Sequence, residues 1–261
     1  MSLIGVFDSG VGGLTILSEL TRLMPEVGYH YVADSGFAPY GERSKEYIID
    51  RSERISGFLI SQGCDMIVVA CNTATGAAIS TLRQHFRVPF DGVEPAVKPA
   101  AMESLTGHIG VLATRQTFQG EHFQKTSGRF AAQVEVHVQP GDGLVELIES
   151  GMADSEEVQE LLKRYIGHLT EKDIDQLVLG CTHYPMLIPH IRQFLPEGII
   201  LHDPSPAVAR QTLKMLDSLA TEAAGENKQG ISFYTTGIPE ILERMVRQIW
   251  KKPYQVQQLE I

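Results

Sequence analysis

Asp65-Met66-Ile67-Val68-Val69-Ala70-Cys71-Asn72-Thr73 is echoed 110 residues further on by Asp175-Gln176-Leu177-Val178-Leu179-Gly180-Cys181-Thr182-His183. Each stretch reads as a short buried strand that stops at a small residue, presents a thiol and follows it with hydroxyl, amide or imidazole groups. A second echo lies upstream at an offset of 105: Ile4-Gly5-Val6-Phe7-Asp8-Ser9 against Ile109-Gly110-Val111-Leu112-Ala113-Thr114. Two echoes in the same order at nearly the same offset predict a duplicated α/β unit. If the halves face each other, two thiols meet across one cleft, the geometry for handling a proton on both faces of a carbon atom.

Working outward, short apolar runs alternate with longer amphipathic segments, the pattern of a parallel sheet flanked by helices. Strands are expected near 4–8, 29–33, 65–70, 89–93, 109–113, 133–138, 175–180, 199–202 and 231–235. Helices are expected near 13–24, 44–62, 74–86, 95–104, 116–128, 143–150, 155–170, 186–194, 206–222 and 238–250, with a polar loop at 224–230. The helix, strand and helix after 205 are too little to stand alone, and completing the first unit is the most economical use of them. The expected division is a discontinuous first domain, 1–95 plus 205–261, and a second domain, 96–204, hinged near the prolines at 95 and 99. The fold class is α/β with two similar domains and mostly parallel sheets.

The 261 residues are 43% hydrophobic and 21% charged, ordinary for a globular protein, with a formal net charge of −10. That charge argues against a nucleic-acid or anionic-membrane surface, since both need clustered cations. No apolar run approaches the roughly 18 residues of a membrane span, and the early first strand leaves no room for a signal peptide. Three cysteines do not make a disulfide framework, so a cytoplasmic location with free thiols is expected.

In open parallel sheets ligands gather outside the carboxyl ends of the strands. The polar residues expected there are Asp8-Ser9, Asp34-Ser35, Cys71-Asn72-Thr73, Thr114 and Cys181-Thr182-His183. A thiolate acts as a base when a neighbour holds or shares its proton; Asp8 and His183 are the expected helpers of Cys71 and Cys181. A lone cysteine at a strand end is more often a small buried hydrophobe, which remains the reading of Cys64. Two cysteines in matching contexts point instead to a pair of acid/base groups. Gly10-Val11-Gly12-Gly13 fits neither common phosphate-loop pattern and reads as a tight turn into a helix N-terminus, favourable for an anion.

Gly5-Val6-Phe7-Asp8-Ser9-Gly10-Val11-Gly12-Gly13-Leu14, Pro39-Tyr40-Gly41, Ala70-Cys71-Asn72-Thr73-Ala74 and Leu179-Gly180-Cys181-Thr182-His183-Tyr184-Pro185 together resemble the glutamate racemase family, within the cofactor-independent aspartate/glutamate racemases. The resemblance implies two α/β domains related by a pseudo-twofold axis with the active site in the cleft between them. It implies interconversion of L- and D-glutamate for peptidoglycan synthesis, no metal and no organic cofactor, and a homodimer. Carried over by motif, Cys71 and Cys181 are the acid/base thiols, assisted by Asp8 and His183, with Glu149 supporting catalysis unless it is merely a solvated surface residue. Asp8, Ser9, Tyr40, Gly41, Asn72, Thr73, Thr114, Thr117, Thr182 and His183 are the implied substrate contacts. The chain departs from the family pattern at Ala33, at Gly36-Phe37-Ala38 and at Gln139-Pro140. Two other readings share these features: an aspartate racemase or related thiol isomerase on the same scaffold, and a non-catalytic amino-acid-binding protein.

Overall fold

The computed structural model describes residues 2–130, 133–219 and 230–261. They form two compact units, Met1–Val93 with Ser205–Ile261, and Glu94–Pro204. The first unit runs β1 (Leu3–Asp8), α1 (Leu14–Leu23), β2 (Gly28–Ala33), α2 (Lys45–Ser61), β3 (Met66–Val69), α3 (Asn72–His85) and β4 (Phe90–Gly92). The second holds α4 (Val97–Glu103), β5 (His108–Ala113), α5 (Arg115–Gln119), α6 (Glu121–Phe130), β6 (Glu135–Pro140), α7 (Leu144–Glu149), α8 (Glu156–Thr170), β7 (Gln176–Gly180), α9 (Ile188–Phe194) and β8 (Ile200–His202). The chain then supplies the first unit with α10 (Ser205–Leu219), β9 (Gly230–Thr235), α11 (Pro239–Trp250) and β10 (Val256–Gln258).

The two sheets are parallel throughout their recorded pairings. The first has the order β10-β9-β2-β1-β3-β4, the second β6-β5-β7-β8. The segment β2-β1-β3-β4 thus repeats as β6-β5-β7-β8. The sequence echoes also land in equal register: Ile4 lies opposite Met66, and Ile109 lies opposite Gln176. Central strands β1, β3 and β7 are buried along their whole length, as unbroken Val/Ile/Leu runs require when both faces are covered. Edge strands β6 and β8 are partly exposed.

The first residue of each echo does the same work. Asp65 accepts the Leu3 N–H at 3.0 Å, and Asp175 accepts the N–H groups of Leu105 and Thr106. Asp65 therefore fastens the beginning of β1 and Asp175 the turn that leads into β5, while the echo's cysteine ends up at the opposite, carboxyl end of the sheet. Helix starts carry side-chain caps that satisfy otherwise unpaired N–H groups. Ser44 caps α2, Thr114 caps α5 and Ser155 caps α8, whose first turn holds Glu156 and Glu157.

Three expectations differ from what forms. The single helix at 116–128 is two helices, because Gly120 takes an extended ψ of 135° between them. The start of 186–194 is a 3-10 turn, Tyr184–Leu187, set by Pro185 near its start. Strand β10 has no run of β-branched residues to announce it and exists by pairing with β9. The loop at 224–230, apart from Gly230, and the end of the helix at 206–222 lie outside the described residues.

Behind the first unit's sheet rim sits a buried ion pair. Arg51 donates two hydrogen bonds to Asp34, Nε to Oδ2 at 3.0 Å and Nη2 to Oδ1 at 2.7 Å. Thr236 donates to Oδ1 at 2.9 Å, Arg51 Nη1 donates to the Ile261 main-chain oxygen at 2.7 Å, and the guanidinium lies 3.6 Å over the Phe37 ring. The group joins α2, the end of β2 and the segment after β9. Removing one partner of such a pair leaves a buried charge uncompensated. Arg51→Met is expected to cost about 3–5 kcal/mol of stability, measured by urea unfolding; a loss under about 1 kcal/mol, the range of an exposed pair, would contradict that assignment.

Candidate active site

In the first unit, β1 ends on Asp8, which is wholly buried. Its Oδ2 accepts the Gly13 N–H at 2.6 Å; its Oδ1 accepts the Ser9 N–H at 2.7 Å and the Ser9 hydroxyl at 3.3 Å. The glycine-rich turn is thus an anion cradle, and the anion it holds is the chain's own Asp8. Gly13 is required there, since an added Cβ would sit 2.8 Å from Asp8 Cβ and 3.0 Å from both Ala70 Cβ and the Tyr31 hydroxyl.

Cys71 follows β3 in extended backbone and caps α3, its Sγ accepting the Ala74 N–H at 3.4 Å. The positive end of a helix favours negative charge on that sulfur. The Cys71 Sγ also lies 3.6 Å from Ser9 Oγ. Cys71, Ser9 and Asp8 therefore form a continuous line in which Ser9 stands between thiol and carboxylate.

Asn72 comes next and is 5% exposed, yet neither its Oδ1 nor its Nδ2 has a hydrogen-bond partner among the described residues. Leaving such a group unpaired costs roughly 1–3 kcal/mol, and a polar ligand relieves that cost. Thr73 is buried beside it. Tyr40 is also buried, and its hydroxyl donates to Asp34 Oδ2 at 2.5 Å. Burial first, then the Asp34 charge, holds this phenol far above its ordinary pKa, so it stays protonated. Gly41 lies in the same 3-10 turn, Tyr40–Glu42. Asp34, expected at the rim, is committed to Arg51, Tyr40 and Thr236.

In the second unit, Cys181 follows β7 and is 6% exposed. Its Sγ is 3.7 Å from His183 Nδ1, and His183 Nε2 is 2.5 Å from Glu149 Oε1. Thiol, imidazole and carboxylate form a line, with Glu149 brought in from the last residue of α7. Burial alone pushes the His183 imidazolium pKa down; hydrogen bonds to Cys181 and Glu149 and their charges outweigh it and raise the pKa well above the usual value. Glu149 has a side chain only 15% exposed, which replaces the surface-solvation alternative with a definite contact.

Thr182 is buried between the two members of the Cys181–His183 pair. Thr114, at the end of β5, caps α5 by accepting the Thr117 N–H at 3.2 Å; the two hydroxyl oxygens are 3.0 Å apart. Gly180 permits the close approach of β7 to β5, because a Cβ there would come 2.7 Å from Ala113 Cβ on the neighbouring strand. Cys64 lies at the opposite end of its strand, buried against Gly5.

Ser9 as the link to Asp8 and Arg51 as the anchor of Asp34 were not assigned those tasks from sequence. Arg51 did carry a signal. It occupies the buried face of α2 with Ile48, Ser52, Ile55 and Leu59, and a cation on an apolar stripe needs a buried partner.

The Asp/Glu/Hydantoin racemase family model matches residues 14–212. A glutamate racemase of Pseudomonas paraeruginosa is 43% identical over 259 residues, 99% of this chain and 97% of that protein. Among solved structures, Escherichia coli glutamate racemase in complex with L-glutamate and the activator UDP-MurNAc-ala superposes with a TM-score of 0.88 at 31% identity, covering 98% of this chain and 97% of that one. Glutamate racemase from Francisella tularensis, in complex with D-glutamate, gives 0.85 at 27% identity over 99% and 97% of the two chains. The family match over residues 14–212 and the 43% identity over nearly the whole chain establish that this chain belongs to the Asp/Glu/hydantoin racemase family.

Proposed function

We propose that this chain is a glutamate racemase that moves the Cα proton of glutamate by means of Cys71 and Cys181, acting from opposite faces of the substrate. The observation that carries the reading is the matched pair of relays, Cys71–Ser9–Asp8 and Cys181–His183–Glu149, at equivalent strand ends of two like-ordered sheets. The binding of L-glutamate by one relative and D-glutamate by another supports the substrate.

The balance of the reaction is simple. One thiolate takes the Cα proton and becomes a thiol, leaving the electron pair on carbon and the adjoining carboxylate. The other thiol gives its proton to the opposite face and becomes a thiolate. The two sulfurs have then exchanged protonation states, and exchange with solvent resets them. Each helper eases one half of the exchange: His183 supplies or accommodates a proton at Cys181, while Ser9 and Asp8 do so at Cys71. Positioning and donors aimed at developing charge lower the barrier further. We assign that role to the unpaired Asn72 amide with Thr73, Thr182, Thr114, Thr117 and the Tyr40-Gly41 turn. Glu149 is a positioning residue that holds His183.

We place the enzyme in the cytoplasm as a source of D-glutamate for peptidoglycan and propose that it self-associates as a homodimer. The three free cysteines suit a reducing compartment. Among the described residues, no helix is long and apolar enough to cross a membrane.

Cys71→Ala and Cys181→Ala are each expected to lower the racemisation rate of glutamate by about 1,000-fold or more, followed by circular dichroism, while Cys64→Ala retains it. Turnover surviving in either of the first two, or faster turnover of aspartate than glutamate in the unaltered chain, would overturn the assignment. For His183→Asn, kcat should fall unequally in the two directions. The enantiomers have equal free energy, so kcat/KM must fall equally and KM absorbs the difference; equal kcat losses would contradict a helper serving one thiol.

Glu149→Gln tests the relay through pH. A histidine with a raised folded pKa contributes stability that is complete below its unfolded value, about 6.5, and fades as pH rises through the folded value. The variant's stability deficit should therefore be larger near about pH 6 than near about pH 9 in urea unfolding. A deficit independent of pH would show that Glu149 does not act on the His183 proton.

A further inference from the structure

A second cluster of chemistry-bearing side chains lies at the other end of the second unit's sheet. His108 is the first residue of β5, Glu135 the first of β6, and the two are register partners. His137, two residues beyond Glu135, projects from the same face of β6. Its register partner is Gly110, over which Leu169 and Ile174 pack. His108 Nδ1 lies 3.1 Å from His137 Nε2, with the rings stacked at 22°. The Glu135 carboxylate is 3.7 Å from His108 Nδ1 and 3.7 Å from His137 Nδ1.

We propose that His108, Glu135 and His137 form a site for a divalent transition metal of the zinc class. One ligand atom from each residue lies within 4.8 Å of the other two. Metal–ligand bonds of about 2.0–2.2 Å in a tetrahedron separate ligands by about 3.3–3.6 Å, so His108 Nδ1 and His137 Nε2, 3.1 Å apart, already stand near that spacing and the Glu135 carboxylate has to swing in toward them. Glu135, with a side chain 67% exposed, has the freedom to make that adjustment. Two imidazoles and a carboxylate suit zinc, nickel, copper or cobalt better than the oxygen-preferring magnesium or calcium. Strand β6 is the edge of its sheet, so an ion can enter from solvent and keep water on its remaining positions. A bound ion ties the start of β6 to the start of β5 and stabilises the folded chain by mass action. This site is separate from the thiol chemistry: Cys181 follows β7 at the carboxyl edge of the same sheet.

The test is titration of the full-length protein with Zn2+ by calorimetry and with Co2+ by absorption spectroscopy. One equivalent should bind, and Co2+ should show visible d–d bands without the intense near-ultraviolet charge transfer of thiolate ligation. His108→Asn and His137→Asn are each expected to weaken binding by about 100-fold and Glu135→Gln by about tenfold. The thermal upshift that Zn2+ gives the unaltered chain should vanish in the histidine variants, whose racemisation in metal-free buffer stays unchanged and shows them folded. An absence of saturable binding, or binding undiminished in His137→Asn, would overturn the proposal; so would thiolate charge transfer, which assigns the ion to the cysteines.

Discussion

A parallel sheet brings the carboxyl ends of all its strands to one edge, and the chemistry of this protein depends on that constraint. Because β1 and β3 are parallel and in fixed register in one sheet, and β5 and β7 in the other, whatever follows the last apolar residue of each arrives at the carboxyl edge of its own sheet. β1 ends on Asp8, with Ser9 next; after β3 comes Cys71, after β5 Thr114 and after β7 Cys181. The carboxylates of Asp65 and Asp175 secure the other end of the same strand pairs. A one-residue slip would move every side chain to the other face of the sheet and shift the polar groups at the strand ends, so core packing and the placement of those groups share one register.

The two thiols have unlike surroundings within like frameworks. Cys71 caps a 14-residue helix and reaches a buried carboxylate through a serine hydroxyl. Cys181 precedes a 3-10 turn and meets an imidazole backed by a carboxylate. One sulfur thus sits at a helix N-terminus and the other beside an imidazole.

The sheet was legible because buried parallel strands are unbroken apolar runs, and Met66–Val69 and Gln176–Gly180 are short and cleanly bounded. The doubled cysteine context was legible for the same reason: a polar residue after such a run has one place to go. Strand β10 was hidden, since Val256–Gln258 is only three residues long with two glutamines, and takes its form from pairing with β9. Gly120 splits a continuous amphipathic pattern, and periodicity alone does not reveal a single extended residue. Side-chain partnerships were the least visible. Asp34 looks like Asp8 from sequence, yet it is spent on Arg51 and Tyr40, whereas the Asp8 carboxylate is cradled by backbone N–H groups beside Cys71. Glu149 gained its contact through the position of α7, which nothing local encodes.

The central claim is that one sulfur removes the Cα proton and a different sulfur returns one. Racemisation in heavy water, sampled at low conversion from each enantiomer in turn, tests it most directly. Two-base transfer predicts that the product carries one deuterium at Cα while the recovered substrate remains protiated. Deuterium entering the recovered substrate as fast as product forms, or product that retains the original protium, would show a single base serving both faces and contradict the account.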